Sequence, residues 1–232
     1  MKGKFSERLL VGLTGCKEED WKNKLKEIEQ RKISRISLFL ERFERYQRDK
    51  IYDSLLNSVV KKIPLVHIRH DMVKEELDFL SKNFDSTYFT IHEDHFEILE
   101  KWKGYHKNLY LEMNTDNFVS NLVKVKRIGG FCIDLSHFKV AEQKSSEDFN
   151  YVLQNRESHE CFGCNHLNGY SYEKNTDLHM IRDVKDLDYL KSLPKFLFGK
   201  WIGLEMDNSI SEQLKFKKHI EKILDKNSQY LS

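Results

Sequence analysis

Short apolar and β-branched runs recur along this chain, and longer charged segments with helical periodicity separate them. The runs with strand character are LLVGLTG (9–15), RISLFLERF (35–43), IPLVHIRH (63–70), TYFTIHED (87–94), NLYLEMN (108–114), GGFCIDLSH (129–137), CFGCNHLNG (161–169) and WIGLEMD (201–207). Between and after them, helices are predicted over 17–32, 49–62, 72–84, 95–105, 115–128, 145–155, 184–196 and 209–224. In the first, Trp21, Leu25 and Ile28 fall at i, i+4 and i+7 with charges on the other faces, and Phe216, Ile220 and Ile223 repeat that spacing in the last.

Eight strand-then-helix units in 232 residues, with no Pro-, Gly- or Ser-rich linker, predict an α/β fold. The expected architecture is a single (β/α)8 TIM barrel spanning residues 1–232. An open doubly wound sheet is the rival. It is disfavoured because only Gly12 and Gly15 follow the first strand, where a Gly-rich phosphate loop would stand.

Side chains on a barrel strand alternate between the helix layer and the interior, and function gathers at the C-terminal strand ends. Parity then sorts the polar residues. Leu109, Leu111 and Met113 share one face, leaving Tyr110, Glu112 and Asn114 inside; Phe131, Ile133 and Leu135 point outward and Asp134 inward. Cys164, His166 and Asn168 fall together, and Glu205 opposes Ile202, Leu204 and Met206. His67 opposes Val66 and Ile68, and His92 opposes Phe89 and Ile91. His137 lies three residues past Asp134, and Asp177 and His179 follow in a loop. Convergence of Glu112, Asp134 and Glu205 in one mouth would be repulsive without a cation between them, so a divalent metal is expected. Mixed carboxylate and imidazole donors suit Zn2+, Mn2+ or Fe2+, and their number points to a cluster of two or three ions.

Composition narrows the partners. The net charge of +2 gives no overall footprint for nucleic acid or membrane, so any polyanion would be met by a local patch. The apolar run at 9–13 is too short for a signal segment or a membrane span, and a cytoplasmic protein is expected. Cys16, Cys132, Cys161 and Cys164 are read as reduced thiols. A zinc knuckle around Cys161, Cys164, His159 and His166 is disfavoured, since parity sends the two cysteines to opposite faces. Glu41 shares parity with Phe39 and reads as a rim carboxylate paired with Arg42 or Arg45, or as an outer contact of the site. Arg42, Arg45, Arg48 and Arg69 are candidates to meet phosphates, although a solvated helix start explains the first three as well. Tyr110 and Asn168 point inward and are expected to orient ligands.

The ordered strand ends resemble the xylose isomerase-like barrel superfamily, and most closely its endonuclease IV branch. GFCIDLSH is similar to that branch's Asp-x-x-His strand end, NHLNG to its His-Leu-Asn, TDLH to its Asp-x-His, and LYLEMN and IGLEMD to its two Glu strand ends. His92 fits the fourth strand, and His67 or His70 the third. The resemblance implies a zinc cluster held by His67 or His70, His92, Glu112, Asp134, His137, His166, Asp177, His179 and Glu205. Within that set, Glu112 and Glu205 would bridge or hold the ions of a metal-dependent phosphoester hydrolase, with DNA among its candidate substrates. The sequence departs from that branch in its short loops and in DLHMIRDVKDLDYL, where Gly-x-Gly usually follows Asp-x-His. The alternative is a sugar or sugar-phosphate isomerase or epimerase using a single Mn2+, Co2+ or Fe2+ on Glu112, Asp134, His166 and Glu205. A non-catalytic binding barrel is the third reading.

Overall fold

The computed structural model describes residues 5–113, 118–156 and 161–229. Asn114, His159 and the start of the helix expected over 115–128 lie outside them. In chain order the main elements are α1 (Phe5–Arg8), β1 (Leu9–Leu10), β2 (Gly12–Leu13), α2 (Glu18–Gln30), β3 (Arg35–Phe39), α3 (Arg45–Leu56), β4 (Lys62–His67) and α4 (Lys74–Phe84). They continue with β5 (Tyr88–Ile91), β6 (Leu109–Leu111), β7 (Gly130–Asp134), α5 (Leu135–Lys144), α6 (Glu147–Gln154), β8 (Phe162–Leu167), β9 (Gly169–Ser171), β10 (Thr176–Leu178), β11 (Trp201–Leu204) and α7 (Ile210–Gln229).

Among the described residues, nine strands form one parallel sheet in the order β1-β11-β8-β7-β6-β5-β4-β3-β2. Its two outer members, β1 and β2, are separated only by Val11, so the sheet is barrel-like and nearly closed. Gly12 makes that seam possible: a Cβ there would meet the Leu204 carbonyl oxygen at 1.9 Å. Gln213 of α7 locks the seam by accepting from Gly12 N at 2.7 Å and donating to Gly12 O at 3.1 Å. The β9–β10 hairpin is the only antiparallel pairing among the described residues.

The expected parity holds. Val66, Ile68, Phe89, Ile91, Leu109, Leu111, Phe131, Ile133, Ile202, Leu204 and Met206 are buried in one layer with Trp21, Ile28, Leu55, Leu77 and Ile220 from the helices. A second, smaller cluster of Leu10, Leu65, Cys132 and Cys164 fills the inside of the sheet, with Tyr88, Tyr110 and Trp201 packed against it. The four cysteines are free. No helix among the described residues is long and apolar enough to cross a membrane.

Three expected helices differ. The segment over 95–105 is instead 3-10 helical over Glu93–Trp102, broken by non-helical backbone at Ile98, and it buries Glu93, His95, Phe96, Leu99 and Trp102. The segment over 184–196 is the 3-10 helices Val184–Ser192 and Lys195–Leu197, which bury Leu187, Tyr189, Leu190 and Leu197. From 118 to 128 only the turn Val125–Arg127 is helical. In the other direction, α5 follows β7 directly, because Asp134 ends the strand and caps the helix. Asp177, expected in a loop, sits in β10.

Candidate metal centre

The apolar cluster inside the sheet is the floor of the site. Side chains two positions apart on a strand share a face, so stepping from Leu65, Tyr110, Cys132 and Cys164 toward the C-terminal ends reaches His67, Glu112, Asp134 and His166. Two such steps from Tyr88 and Trp201 reach His92 and Glu205. His67, Glu112, Asp134, His166 and Glu205 are buried, and His92 is half-buried. The Phe39 ring lies beneath His166, with centroids 5.0 Å apart.

The polar ring contains three groups, and His67 links the first two, since it also lies within 4.8 Å of His166 and Glu205. Innermost, one ligand atom each from Glu112, Asp134, His166 and Glu205 lie within 4.8 Å of one another. There, His166 Nδ1 is 2.9 Å from Glu112 Oε2 and 3.2 Å from Glu205 Oε2. The second group is Glu41, His67 and His92, in which Glu41 Oε2 stands 3.6 Å from His67 Nε2 and 3.3 Å from His92 Nε2. In the third, Asp177 Oδ2 lies 3.3 Å from His179 Nε2 and 3.9 Å from His137 Nε2. Glu112 connects all three: Oε2 is 3.6 Å from His67 Nδ1, and Oε1 is 3.7 Å from His137 Nδ1.

Outer contacts hold these groups in place. Asp134 Oδ1 accepts from Ser136 N, Ser136 Oγ and His137 N at 2.9 Å each, leaving Oδ2 to accept from Asn168 Nδ2 at 3.1 Å. Thr90 Oγ1 lies 3.1 Å from His166 Nε2 and fixes the ring so that Nδ1 faces the carboxylates. The strip carrying Asp177 and His179 is fastened to the end of β11. Asn208 accepts from Ile181 N and donates to Ile181 O at 2.9 Å each, and Asp207 N donates to His179 O at 2.8 Å.

The electrostatics follow from carboxylates and imidazoles sharing one dry mouth. Burial opposes charge on Glu112, but His166 and His67 hold its carboxyl well below the usual range. Burial raises Glu205. Burial also lowers His67 to about 3 despite Glu41 and Glu112, leaving it a neutral lone-pair donor. For His166, burial is outweighed by Cys132, Glu112 and Glu205, which raise it well above normal. His92 rises to about 9 because Glu41 and Glu112 overcome burial, and His137 rises to about 10 through Asp134, Asp177 and Glu112. His179 rises to about 9, mainly against burial through Asp177, whose own carboxyl is held low by His137 and His179. Protons on these imidazoles offset the carboxylate charge, the role a metal cation would also fill.

The donor set fits divalent metal. His67 Nδ1 and Nε2, His92 Nδ1, Glu112 Oε2, His137 Nδ1 and His166 Nδ1 are buried without a hydrogen bond, although carboxylate oxygens stand as close as 2.9 Å. Buried polar atoms without partners are costly, and a cation held among these nitrogens and oxygens would engage them.

Of the ten residues expected from sequence, nine converge here. His70 does not: it is exposed, and its ring lies 6.3 Å from His95 rather than in the mouth. The reason is parity and reach, since His67 ends β4 and His70 lies beyond the strand. Tyr110 is a second correction. It stacks on Tyr88 at 4.7 Å in the floor and orients no ligand, whereas Asn168 does hold Asp134. Glu41 pairs with Arg42 at 3.2 Å, as expected, and also faces two histidines. Its signal was its parity with Phe39. Arg48, read as a phosphate candidate, is buried and bound to Glu76 at 2.9 Å, and Arg69 is paired with Glu44 at 2.8 Å. Cys164 lies in the floor and Cys161 is half-buried, and no metal-type group among the described residues includes a cysteine. No family model and no curated protein matches this chain.

Proposed function

We propose that this chain is a metal-dependent hydrolase of phosphate esters, resembling endonuclease IV in its site, with two or three Zn2+ held at the mouth of a (β/α)8 barrel. Counting β1 and β2 as one strand interrupted at Val11 would bring the nearly closed sheet to eight strands, which supports the barrel reading. The observation that carries the reading is the placement of Glu112, within 3.6 Å of His67, 2.9 Å of His166 and 3.7 Å of His137. A single carboxylate touching three imidazoles from three groups suits a bridging position better than a one-ion site.

Bound divalent ions would supply Lewis-acid stabilisation of a phosphoryl oxygen and activation of water at neutral pH. The residues of the chain do the rest. Asn168, Ser136 and Thr90 fix the orientation of Asp134 and His166, and the Leu10, Leu65, Cys132 and Cys164 floor excludes water from below. Arg42, one-third exposed beside Glu41, offers a guanidinium at the rim for an anionic ester. Four free thiols accord with a cytoplasmic setting.

One observation favours a second reading. Glu112, Asp134, His166 and Glu205 are the most buried group and would suffice for one Mn2+, Co2+ or Fe2+ in a sugar or sugar-phosphate isomerase. The assay that separates the two offers the zinc-loaded protein abasic-site duplex DNA, a small aryl phosphodiester and a set of ketose phosphates. Cleavage of either ester that chelator abolishes and zinc restores supports the hydrolase. Interconversion of a sugar phosphate without ester cleavage overturns it in favour of the isomerase.

A further inference from the structure

The nine-residue ligand set leaves Glu41 out, yet the structure places this carboxylate against two histidines of that set. Glu41 follows β3 at the rim, and its two oxygens face in different directions. Oε1 accepts from Arg42 Nε at 3.2 Å, which pins the carboxylate from outside. Oε2 stands 3.3 Å from His92 Nε2 and 3.6 Å from His67 Nε2.

His67 adds an independent observation. Its side chain is 1% exposed, and neither ring nitrogen makes a hydrogen bond. Nε2 faces Glu41 and Nδ1 faces Glu112, so the two edges of one ring address two different carboxylates. An imidazole gives one lone pair to a metal and holds a proton on its other nitrogen, commonly oriented by a carboxylate.

We propose that Glu41 is a metal ligand, forming with His67 Nε2 and His92 Nε2 an outer site for a divalent first-row cation, distinct from the inner group at Glu112, Asp134, His166 and Glu205. This inference rests on the metal-centre reading above and extends its ligand set. One carboxylate and two imidazoles suit Zn2+, Mn2+ or Fe2+ and leave positions open for water or an ester oxygen. Side chains of Glu41 and His92 are 25% and 26% exposed, against 2% for Glu112 and 0% for His166. The outer ion is therefore lost to chelator before the inner one.

The test compares wild type with Glu41→Gln and Glu41→Ala, each loaded with Zn2+ and separately with Co2+. The readouts are metal per chain during stepwise chelation, titration calorimetry, and the cobalt absorption spectrum. The expected result is loss of one ion from both variants, or weakening of one site by about a hundredfold or more, with the remaining ions held as in wild type. Retention of those ions also reports that the variants are folded. Unchanged number and affinity in Glu41→Gln and Glu41→Ala, with wild type binding two or three ions, overturns the role of Glu41 alone. A wild-type protein that binds no ion overturns the metal-centre reading and this inference with it.

Discussion

His166 Nδ1 lies 2.9 Å from Glu112 Oε2 in a position where both side chains are almost wholly buried. Both atoms are buried, and the pair does not meet hydrogen-bond geometry, so opposite charge rather than a directed hydrogen bond draws them together. Ligand-type atoms brought together at the ends of β6 and β8, two strands separated only by β7, and held within a ring of further carboxylates and imidazoles, are what a cation site requires.

Replacement of Glu112 by Gln keeps its size and removes the charge shared by all three groups. Metal content should fall by more than one ion per chain, and ester hydrolysis by roughly a hundredfold or more. Elemental analysis and a steady-state assay on the same preparation check this together. Loss of activity with full metal content would mean that Glu112 does not bridge.

Metal binding should be coupled to proton release. In the metal-free protein His92, His137 and His179 are raised to about 9, 10 and 9, so each is mostly protonated at neutral pH. Coordination needs the neutral ring, so apparent affinity should rise with pH by about tenfold per unit for each such histidine coordinated, until pH 9 to 10. The stability of the metal-free protein should run the other way. These folded-state values lie above the unfolded ones, so their contribution is complete below about pH 6.5 and is lost as pH rises through about 9 to 10. Calorimetry in buffers of different ionisation enthalpy, with thermal melts across that range, measures both trends.

Asn208→Ala should release the strip that carries Asp177 and His179. The two hydrogen bonds from Asn208 to Ile181 are buried, and their loss should cost about 1–3 kcal/mol in a chelated sample. One ion, that of the His137, Asp177 and His179 group, should dissociate more readily while the inner group is retained. Denaturant melts and chelation profiles separate these effects.

Gly12→Ala should damage the scaffold rather than the chemistry. The added Cβ would meet the Leu204 carbonyl oxygen at 1.9 Å and Phe39 Cε2 at 2.9 Å, so the seam between β2 and β11 must open. A loss of at least about 3 kcal/mol is expected, lowering Tm by roughly 6–12 °C. A melt of the chelated variant measures it, and an unchanged Tm would show that the seam yields freely.

Much of this was legible in the sequence because strand parity is a hard geometric constraint. Leu65 and His67, Cys132 and Asp134, and Cys164 and His166 must share a face, so polar strand ends in register must meet. What was misread depended on a residue doing two things or on a finer period. Asp134 is both a candidate ligand and the cap of α5, and only the first role was visible beside so apolar a strand. Phe96, Leu99 and Trp102 are spaced as either an α- or a 3-10 helix would space them, so the pattern alone could not reveal the 3-10 geometry or its break at Ile98. The choice of His67 over His70 turned on where β4 ends, and Glu41 on where the chain runs after β3. Such boundaries are the least certain part of any sequence reading.

The central claim is that these side chains hold a cluster of metal ions. Its most direct measurement is elemental analysis of the purified protein, without added metal or chelator, repeated after equilibration with Zn2+. Two or three zinc ions per chain is the predicted result. A single ion per chain, or none after equilibration, would contradict it.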